Sequence, residues 1–432
     1  MNKFNNFQDL QRYLDHLGLF RMRLGLERMQ KGMYLLDVRH GELPAVQLIG
    51  TNGKGSTASF LESLALAHGM KAGLFTSPHL VSVKERIRVD GKVLPDEVWL
   101  DAANKVHSAC ADLGLTYFEF LTLMAVLIFR QAGVDAAIME AGLGGRYDAT
   151  SSLGAKLHVI TSIDLDHTPV LGTTVPEIAA DKVAAVCKDS RVILARQRNS
   201  LVRDIVQQAC ARAGAGFLCV DDFQLKDGGK SGLKGLTSVV IDQQDLGLFG
   251  DYQLQNALTA LLAWRILAGM KEKKVEPEKC LQALKNTYLP GRMHVVSPRP
   301  MIIMDGAHNP GALSGLLAFL QSRNINPLNI VFACLSDKEV KPMAQMIKKF
   351  KARRILVPET GHHSRAINRK ELLALLGKRA RPVDDLQGFL SGKDLDEPVL
   401  VCGSLYLLGY IYSIFPQWLD PDNKWPLAFD RQ

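Results

Sequence analysis

The chain has 432 residues, of which 47% are hydrophobic and 22% are charged, and its formal net charge is +8. These values are typical of a globular protein and exclude a disordered chain, and the length predicts roughly two to three domains. The basic residues are spread along the chain and no stretch reaches about 18 consecutive apolar residues, so we expect neither nucleic acid nor membrane as a partner. The seven cysteines are scattered, odd in number and without a C-x-x-C pair. They argue against a disulfide scaffold, and with no signal-peptide core at the N-terminus they favour the cytoplasm.

The first part of the chain alternates short apolar runs with longer helical patterns. A helical region at 4–35 is followed by predicted strands within 45–50, 71–80, 135–145 and 156–167, and by predicted helices at 56–69 and 118–133. Such alternation predicts an α/β fold with a parallel sheet covered by helices on both faces. Functional groups are then expected in the loops after the carboxyl ends of the strands.

A second α/β block is predicted after residue 300. "LPGRMHVVSPRP" (289–300) contains turn residues and is predicted to be a linker. Beyond it, strands are predicted within 301–309, 329–337, 353–359 and 398–404, with helices at 310–322 and 342–352. We therefore place the boundary between a larger domain, 1–296, and a smaller one, 297–432. The segment "KDGGKSGLKGL" (226–236) is predicted to be a flexible surface loop.

The stretch "LIGTNGKGST" (48–57) predicts a strand, a glycine-rich turn and a helix. Backbone amides in such a turn can hold phosphate oxygens at the helix N-terminus, and Lys54 adds a positive charge. The strict pattern G-x-x-x-x-G-K-[ST] is not met, because Leu48 stands where its first glycine belongs and Gly55 separates Lys54 from Ser56. From these residues alone, a phosphate-binding loop and a plain turn both stay open.

Three further strand ends carry groups that can bind a hard divalent cation. They supply the Ser77 hydroxyl in "TSPHL", the Glu140 carboxylate in "EAGLGGRYDAT" and the His167 imidazole in "DLDHT". Together with phosphate oxygens these are possible magnesium ligands, although imidazole is less typical of magnesium than oxygen. Each also has a structural interpretation: Ser77 as a turn cap, Glu140 as a partner of Arg146, and His167 as a hydrogen-bonded loop residue. Their joint position after three strands favours the metal site.

A series of motifs resembles the folylpolyglutamate synthase family, including the bacterial bifunctional dihydrofolate synthases, within the Mur-ligase superfamily. The motifs are, in order, "GTNGKGST", "TSPHL…ERIRVDG", "YFEFLT", "EAGLGGRYDAT", "TSIDLDHTPVLG", "LPGR", "DGAHNPGA" and "VCGSLY", over roughly residues 20–410. The resemblance implies a Mur-ligase-like ATP- and folate-binding domain with a parallel-rich central sheet. It also implies a smaller, Rossmann-like C-terminal glutamate-ligase domain, and it identifies the glycine-rich loop as that superfamily's ATP site.

The resemblance also implies roles for individual residues, with ATP and Mg²⁺ as cofactors. The ATP phosphates are expected on Gly53, Lys54, Gly55 and Ser56, and the metal on Ser77, Glu140 and His167. Asn256 matches the residue that recognises the adenine, and Arg292 and Asp305 match interdomain contacts with phosphate and ribose. His308 is expected near the reacting phosphate or the incoming amino acid. Structural alternatives are a helix cap for Asn256, a linker ion pair for Arg292 and a turn for Asp305.

Three segments match those that line the pterin pocket of the bifunctional enzymes. Gly25 allows close approach of the backbone to a flat ring, and Tyr117 or Phe118 can pack against it. The alternative is that the first two segments belong only to a buried helix and the core. The segments comprise Arg23, Leu24, Gly25 and Leu26; Thr116, Tyr117, Phe118 and Glu119; and Tyr147, Asp148 and Ala149.

Lys182 matches a lysine that is carbamylated in the family, where the new carboxylate supports the metal site. The surrounding "ADKVAAVCK" departs from the family pattern, because Ala184 and Ala185 stand where glycine and isoleucine are usual. The alternative is an ordinary helix lysine. Lys54, Lys182 and His308 are thus the implied catalytic residues.

The implied reaction is ATP-dependent addition of L-glutamate to dihydropteroate and to reduced folates, through an acyl phosphate. We expect a monomer whose partners are these small molecules, with the ATP site between the two domains and closure of the domains during turnover. The alternatives are a folylpolyglutamate synthase only, another Mur-type amino-acid ligase, and a nucleotide-binding regulatory protein without catalysis. Because the phosphate loop begins by residue 50, we expect no separate N-terminal domain of the kind found in ligases that act on UDP-sugars.

Overall fold

The computed structural model describes residues 3–19, 23–227, 230–234, 239–359, 366–392, 397–421 and 425. The chain divides into two compact units. Unit 1 comprises 1–78, 84–245 and 255–286, and unit 2 comprises 79–83, 246–254 and 287–432. The long segment of unit 2 thus begins at Thr287, ahead of the boundary placed between residues 296 and 297. The predicted linker at 289–300 is wrong in part, because His294–Pro298 forms a strand with three buried residues at its start.

Unit 1 contains ten α-helices, of which α9 begins in the segment 246–254 of unit 2, and eleven strands among its described residues. The helices are α1 (Phe7–Leu17), α2 (Glu27–Leu35), α3 (Lys54–Ala67), α4 (Asp96–Cys110), α5 (Tyr117–Ala132), α6 (Thr168–Leu171), α7 (Val175–Val183), α8 (Leu201–Ala213), α9 (Asp251–Met270) and α10 (Pro277–Asn286). The strands are β1 (Ala45–Ile49), β2 (Ala72–Phe75), β3 (Ile87–Val89), β4 (Lys92–Val93), β5 (Ala136–Glu140), β6 (Leu157–Ile160), β7 (Arg191–Leu194), β8 (Gly216–Cys219), β9 (Gln224–Asp227), β10 (Lys230–Leu233) and β11 (Val240–Ile241).

The central sheet of unit 1 has eight strands in the order β4-β3-β2-β5-β1-β6-β7-β8. Six neighbouring strands of this sheet run parallel, namely β2, β5, β1, β6, β7 and β8. The strands β3 and β4 add an antiparallel edge beside β2. β1 lies in the middle, with β5 on one side and β6 on the other. The chain crosses β1 between β5 and β6, which makes the carboxyl end of β1 the usual position for a ligand in such sheets. The predicted parallel sheet is confirmed.

Local sequence explains several element boundaries in unit 1. The helical region predicted at 4–35 is two helices, because Gly18 adopts a positive φ of 77° and ends α1. α5 begins with a capping box in which Thr116 and Glu119 each accept a hydrogen bond from the backbone of the other. Nine of the fourteen residues of α3 are buried, as is every residue from Phe120 to Phe129 in α5, so both helices lie largely inside the fold. Within the described residues, none of the helices has the length and apolar character needed to span a membrane.

A separate three-stranded antiparallel sheet, β11-β10-β9, follows β8. It corrects the loop predicted at 226–236, because Lys226 and Asp227 belong to β9 and pair with β10. Ser231 and Leu233 of β10 are buried. The strand β10 pairs with β9 and β11, and it is this pairing, not a local sequence pattern, that makes the segment a strand. The other residues of that predicted loop include 228–229 and 235–236, which lie outside the described residues.

Unit 2 is built on a six-stranded sheet in the order β12-β13-β17-β14-β15-β16, in which only β12 is antiparallel to its neighbour. The strands are β12 (His294–Pro298), β13 (Met301–Met304), β14 (Asn329–Phe332), β15 (Arg354–Pro358), β16 (Ala380–Val383) and β17 (Val399–Cys402). The helices are α11 (Pro310–Ser322), α12 (Val340–Lys349), α13 (Arg369–Leu376), α14 (Leu386–Ser391) and α15 (Leu405–Ile414).

Alternate residues of these strands face two separate cores. Ile330 and Phe332 pack with the buried side chains of α11, α12 and α13, whereas Val331 between them packs with those of α14 and α15. A strand with apolar residues on both faces must be covered on both faces. The predicted smaller α/β domain with a Rossmann-like sheet is confirmed.

Candidate functional site

The glycine-rich turn joins the central strand β1 to α3, as the sequence predicts. Gly53 has a φ of 89° and caps α3, which begins at Lys54. The positive φ favours glycine here, and a Cβ atom at Gly53 would lie 2.5 Å from Oδ1 of Asn256, so that side chain would have to shift. The unpaired N–H groups of the first helical turn make this end of α3 a favourable place for phosphate oxygens. The structure thus puts Asn256 beside the loop.

Two lysines bind the same carbonyl oxygen in this turn. Lys54 Nζ donates to the Gly50 oxygen at 3.0 Å and to the Thr51 oxygen at 3.4 Å, and Lys182 Nζ donates to the Gly50 oxygen at 3.0 Å. Lys182 is only 3% exposed. Burial, assisted by the charge of Lys54, lowers the pKa of Lys182 to about 7, against the opposing effect of nearby aspartates. The loop therefore concentrates positive charge, and a large fraction of Lys182 is a neutral amine near neutral pH.

The loop after β6 is hydrogen-bonded to the glycine-rich turn. Thr51 and Asn52 donate their backbone N–H groups to the Ser162 oxygen at 2.8 and 3.2 Å. The Thr51 hydroxyl donates to the Asp164 oxygen at 3.0 Å and accepts from the Asp164 N–H at 3.1 Å. The same loop leads to His167, which has a φ of 51° and precedes α6. These bonds bring the strand end that carries His167 to the turn that carries Lys54.

Ser77 and Glu140 meet at the ends of β2 and β5. The Ser77 N–H donates to Oε2 of Glu140 at 3.0 Å. A Cβ atom at Gly55 would lie 3.6 Å from the same oxygen, so the carboxylate faces the phosphate loop. His167 Nε2 lies 3.9 Å from Oδ1 of Asp166. The structure therefore places Ser77 and Glu140 together beside the glycine-rich turn.

The donor set suits a hard divalent cation. A serine hydroxyl and a carboxylate are oxygen donors, which Mg²⁺ prefers. Among the described residues, no group of three or more His, Cys, Asp or Glu side chains is arranged to hold a metal by itself. A metal here would therefore complete its coordination with oxygens from outside the protein, as Mg²⁺ usually does with water and substrate phosphates.

The segment 142–151, called the β5 loop below, is organised by a buried carboxylate. Asp148 Oδ2 accepts from the N–H groups of Gly142 and Leu143 at 2.8 and 3.0 Å, and Oδ1 accepts from the Thr150 N–H at 3.0 Å. Burial raises the pKa of Asp148, and these hydrogen bonds oppose that rise. Of the three residues predicted to line the pterin pocket here, Tyr147 is 46% exposed, whereas Asp148 and Ala149 are buried.

The residues from Thr116 to Glu119 mostly make contacts within the protein instead of facing the candidate site. The hydroxyl of Thr116 and the carboxylate of Glu119 form the capping box of α5, and Arg28 also pairs with Glu119 at 2.8 Å. Tyr117 is buried, with the Arg86 guanidinium 5.3 Å from its ring centre. Phe118 lies against the β5 loop, since a Cβ atom at Gly142 would be 2.8 Å from its ring. Phe118 is thus the aromatic residue of this segment that adjoins the candidate site.

The predicted "RLGL" segment directly precedes α2. Gly25 has a φ of 117°, so glycine is required by the backbone. Leu24 is 63% exposed, and Arg23 Nη1 donates to the Gly114 oxygen at 3.2 Å. Leu26 caps α2. The exposed side chain of Leu24 is the one in this segment available for an apolar ligand.

In unit 2, Asp305 follows β13 and is buried. Its Oδ2 accepts from the Met293 N–H at 2.9 Å and from the Tyr252 hydroxyl at 3.4 Å, and its Oδ1 accepts from the Ala307 N–H at 2.8 Å. Burial raises the pKa of Asp305, and the charge of Arg292 opposes the rise. The carboxylate therefore holds together the two segments that carry Arg292 and His308.

Gly306 lies between these two groups. A Cβ atom at Gly306 would be 2.3 Å from Nη1 of Arg292, so the guanidinium packs on the glycine. His308 Nδ1 donates to the Gly306 oxygen at 2.7 Å. Because a carbonyl oxygen only accepts, this bond assigns the proton of a neutral ring to Nδ1 and makes Nε2 an acceptor. The turn thus brings Arg292, Asp305 and His308 together within unit 2.

A buried polar cluster, not predicted from the sequence, adjoins the β5 loop. Gln47 in β1 and His158 in β6 are both buried, and His158 Nδ1 donates to Oε1 of Gln47 at 3.1 Å. Asp181 was missed as well: its Oδ2 accepts from the Gly145 N–H at 3.1 Å. A polar residue within an apolar strand was the available signal for Gln47 and His158, because a buried polar group requires a partner.

We expect the protein to lose stability as the pH falls from about 6.5 to about 4, because burial lowers the pKa of His158 to about 4. Between these pH values the unfolded chain binds a proton at His158 and the folded chain does not. The free energy of unfolding therefore decreases by up to about 1.4 kcal/mol for each pH unit of acidification. The contribution of the neutral His158 to the free energy of unfolding is fully present above about pH 6.5. His158→Gln keeps one donor and one acceptor but cannot titrate, so its unfolding temperature should depend less on pH there. Equal slopes for variant and parent would contradict the expectation.

Comparisons with known proteins agree with this architecture. Residues 291–405 match the family described as Mur ligase, glutamate ligase domain. This part of the chain therefore carries a glutamate-ligase domain of the Mur type. The chain is 32% identical over 418 residues to the dihydrofolate synthase/folylpolyglutamate synthase of Escherichia coli K12, which covers 93% of this chain and 94% of that protein. The chain belongs to the dihydrofolate synthase/folylpolyglutamate synthase family, so the predicted resemblance is confirmed.

A longer relative and two solved structures extend the comparison. The chain is 29% identical to the probable bifunctional folylpolyglutamate synthase/dihydropteroate synthase of Haloferax volcanii, but spans only 50% of its length. The structure of E. coli FolC in complex with DHPP and ADP has a TM-score of 0.86 at 28% identity, over 96% of this chain and 99% of that one. A bifunctional enzyme from Yersinia pestis, complexed with AMPPNP and Mn ion, has a TM-score of 0.84 at 28% identity, over 96% and 100%. The predicted fold is confirmed.

Proposed function

We propose that this protein is an ATP-dependent ligase that joins L-glutamate to dihydropteroate and to reduced folates. The observation that carries the proposal is the phosphate loop, where Lys54 and the Ser77–Glu140 pair meet in a chain of this family. The names of the relatives support both acceptors, since the E. coli protein is called dihydrofolate synthase/folylpolyglutamate synthase. A regulatory protein without catalysis would have no use for this combination of groups.

The reaction needs activation because a free carboxylate has no leaving group. A carboxylate oxygen of the acceptor attacks the γ-phosphorus of ATP, an O–P bond forms, and the bond to the ADP oxygen breaks. The glutamate nitrogen then attacks the acyl carbon, a C–N bond forms, the C–O bond to phosphate breaks and the nitrogen loses a proton. Positioning and charge neutralisation supply most of the rate in phosphoryl transfer. The basic, amide-lined turn at Lys54 is suited to both.

Within unit 1, we assign the phosphates to Gly53, Lys54, Gly55 and Ser56. Lys54 would move from its carbonyl partners to the γ-phosphate, and the N–H groups of the first turn of α3 would hold the other oxygens. We assign the metal to Ser77, Glu140 and His167, where Mg²⁺ would neutralise charge on the phosphate oxygens. We assign the adenine to Asn256, whose carboxamide has both a donor and an acceptor for a purine edge.

The pterin-lining segments divide into two groups in this proposal. Leu24, Phe118 and Tyr147 present surface to a flat ring, whereas Thr116, Glu119 and Asp148 shape the segments through internal hydrogen bonds. Tyr117 packs behind the site. The remaining residues of these segments contribute only their backbone to the proposed pterin pocket. They are Arg23, Gly25, Leu26 and Ala149.

In unit 2, Arg292 and Asp305 are assigned to the phosphate and ribose of ATP, and His308 to the incoming glutamate. An Arg292 guanidinium suits phosphate oxygens because its N–H groups form a fixed fork. An imidazole held through Nδ1 by the Gly306 oxygen is a suitable general base for the ammonium group of glutamate. The internal hydrogen bonds of Asp305 favour a role in holding these two residues.

Bifunctionality is the first result to test. We expect the purified protein to release phosphate from ATP in the presence of L-glutamate with dihydropteroate as acceptor, and also with tetrahydrofolate. Both assays should need a divalent cation, and neither should proceed with a UDP-sugar acceptor. Extension of tetrahydrofolate without ligation of dihydropteroate would reduce the function to folylpolyglutamate synthase alone. Turnover of a UDP-sugar, or of neither folate acceptor, would contradict the proposal.

Two further parts of the proposal concern the state of the protein. We propose that it acts as a monomer in the cytoplasm, without nucleic-acid partners. The small-molecule acceptors need no second subunit in this scheme. Light scattering at assay concentrations tests the oligomeric state, and a dimer mass would contradict it.

A further inference from the structure

A chain of hydrogen bonds with a single direction joins the middle of β1 to the β5 loop. Gln47 is 1% exposed, and its Nε2 donates to Oγ1 of Thr150 and to Oγ of Ser151, each at 2.8 Å. Both protons of the carboxamide are thereby used. Its Oε1, which can only accept, lies 3.1 Å from Nδ1 of His158. The orientation of the Gln47 side chain is therefore determined by its partners.

The tautomer of His158 follows from the same geometry. The backbone N–H of Cys187 donates to Nε2 of His158 at 3.3 Å. A backbone N–H cannot accept, so Nε2 carries no proton and Nδ1 must carry it. His158 is thus a neutral donor that holds Gln47 from the side opposite the β5 loop.

The hydroxyls of Thr150 and Ser151 accept hydrogen bonds from Gln47 and donate hydrogen bonds to groups of the β5 loop. The hydroxyl of Thr150 donates to Oδ1 of Asp148, the carboxylate that gathers the N–H groups of Gly142 and Leu143. The hydroxyl of Ser151 donates to the Gly145 oxygen at 2.6 Å. Each hydroxyl accepts from Gln47 and donates into the loop. Removal of the Gln47 carboxamide therefore leaves both hydroxyls without their buried donor.

We propose that Gln47 is a positioning residue for the folate-side substrate. It acts through the β5 loop, whose shape it sets by holding Thr150 and Ser151 against β1. The proposal rests on the proposed function, because the loop is assigned to the pterin through Tyr147. The glycine-rich turn has its own hydrogen bonds to the loop after β6, so we expect Gln47 to affect acceptor binding more than ATP binding.

The first test needs no substrate and measures amide hydrogen exchange of the peptide 142–151 in the full-length protein. We expect Gln47→Leu, which keeps the volume but removes both polar ends, to exchange this peptide about tenfold faster. The matched control is Asn329→Leu, which removes a buried strand carboxamide of unit 2 that binds Glu397 and Arg354. The control should leave 142–151 unchanged. Unchanged exchange in Gln47→Leu would overturn the proposal, whatever the enzyme's activity.

The second test separates positioning from stability. Gln47→Leu should raise the KM for the folate acceptor about tenfold while the KM for ATP stays within about twofold. A purely structural role would lower the active fraction and kcat without changing either KM. Ser151→Ala removes only the branch through the Ser151 hydroxyl, which joins Gln47 to the Gly145 oxygen, and keeps the packing, so it should show a smaller rise in the KM for the folate acceptor. This variant replaces Gln47→Leu in the test if Gln47→Leu fails to fold. Equal changes in the two KM values, or none in either variant, would overturn the proposal.

The two tests also distinguish this proposal from the proposed function. If the parent protein ligates no folate acceptor, the proposed function fails, and the substrate role of Gln47 fails with it. Faster exchange of 142–151 would then still show that Gln47 holds the β5 loop. If the parent ligates folates and Gln47→Leu alters neither exchange nor KM, only the positioning role fails.

Discussion

Lys54→Ala is expected to lower kcat by about a thousandfold while the protein stays folded, because the lysine supplies charge at the transferred phosphoryl group. Its Nζ donates to the carbonyl oxygens of Gly50 and Thr51, so the side chain is held by the backbone of the turn itself. Its removal takes little from the core, since the residue is only half-buried. The measurement is phosphate release at saturating ATP, acceptor and glutamate, with the unfolding temperature of the same preparation.

Lys71→Ala is the matched control for this variant. Lys71 is also half-buried, and it follows the other end of α3. The control should keep near-normal turnover and a similar unfolding temperature. Near-normal turnover in Lys54→Ala would show that the turn is not the phosphate site.

Lys182→Met is expected to lower activity by about a hundredfold, the usual scale for a group that supports a metal site from outside its direct ligands. We expect Lys182 to be a carbamate in the active enzyme. With a pKa of about 7, the buried amine is largely neutral above that pH. The neutral nitrogen can then attack CO₂, forming an N–C bond and releasing a proton. The product is an anion that suits the positive turn around Lys54.

Two measurements test the carbamate directly. Protein equilibrated with ¹³C-bicarbonate should show a carbamate carbon signal that is absent in Lys182→Met. A short carboxylate such as acetate should restore part of the activity of Lys182→Ala but none in Lys54→Ala, because only the first variant lacks a carboxylate. A parent protein with no such signal, together with a fully active Lys182→Met, would establish an ordinary buried lysine.

Local patterns accounted for much of the fold. β1, the turn and α3 follow from an apolar strand, a glycine at a positive φ and an apolar helix, all within 45–67. The match of α11 to the predicted helix at 310–322 has the same origin, since Asn309 caps it and Pro310 begins it. By contrast, β12 and the β9–β10 hairpin were missed, because their residues become strands only when they pair with partners.

The candidate site was predictable where its residues follow strands directly. Ser77 and Glu140 meet because β2 and β5 are parallel neighbours whose ends lie at one edge. The capping role of Glu119 was also visible in the pattern T-x-x-E, which the resemblance to a pterin pocket obscured. Lys54 and Lys182, in contrast, share the Gly50 oxygen only because α7 packs near the turn.

The sequence by itself determined the alternating α/β architecture, the glycine-rich turn and the family, because periodicity, glycine positions and motif order are local properties of the chain. Only the tertiary structure decided which polar groups become buried partners. The lowered pKa of Lys182 and the hydrogen bonds that join His158, Gln47 and the β5 loop depend on residues far apart in the sequence. Desolvation and hydrogen-bond direction depend on what surrounds an atom in space, and the folded chain alone provides those surroundings.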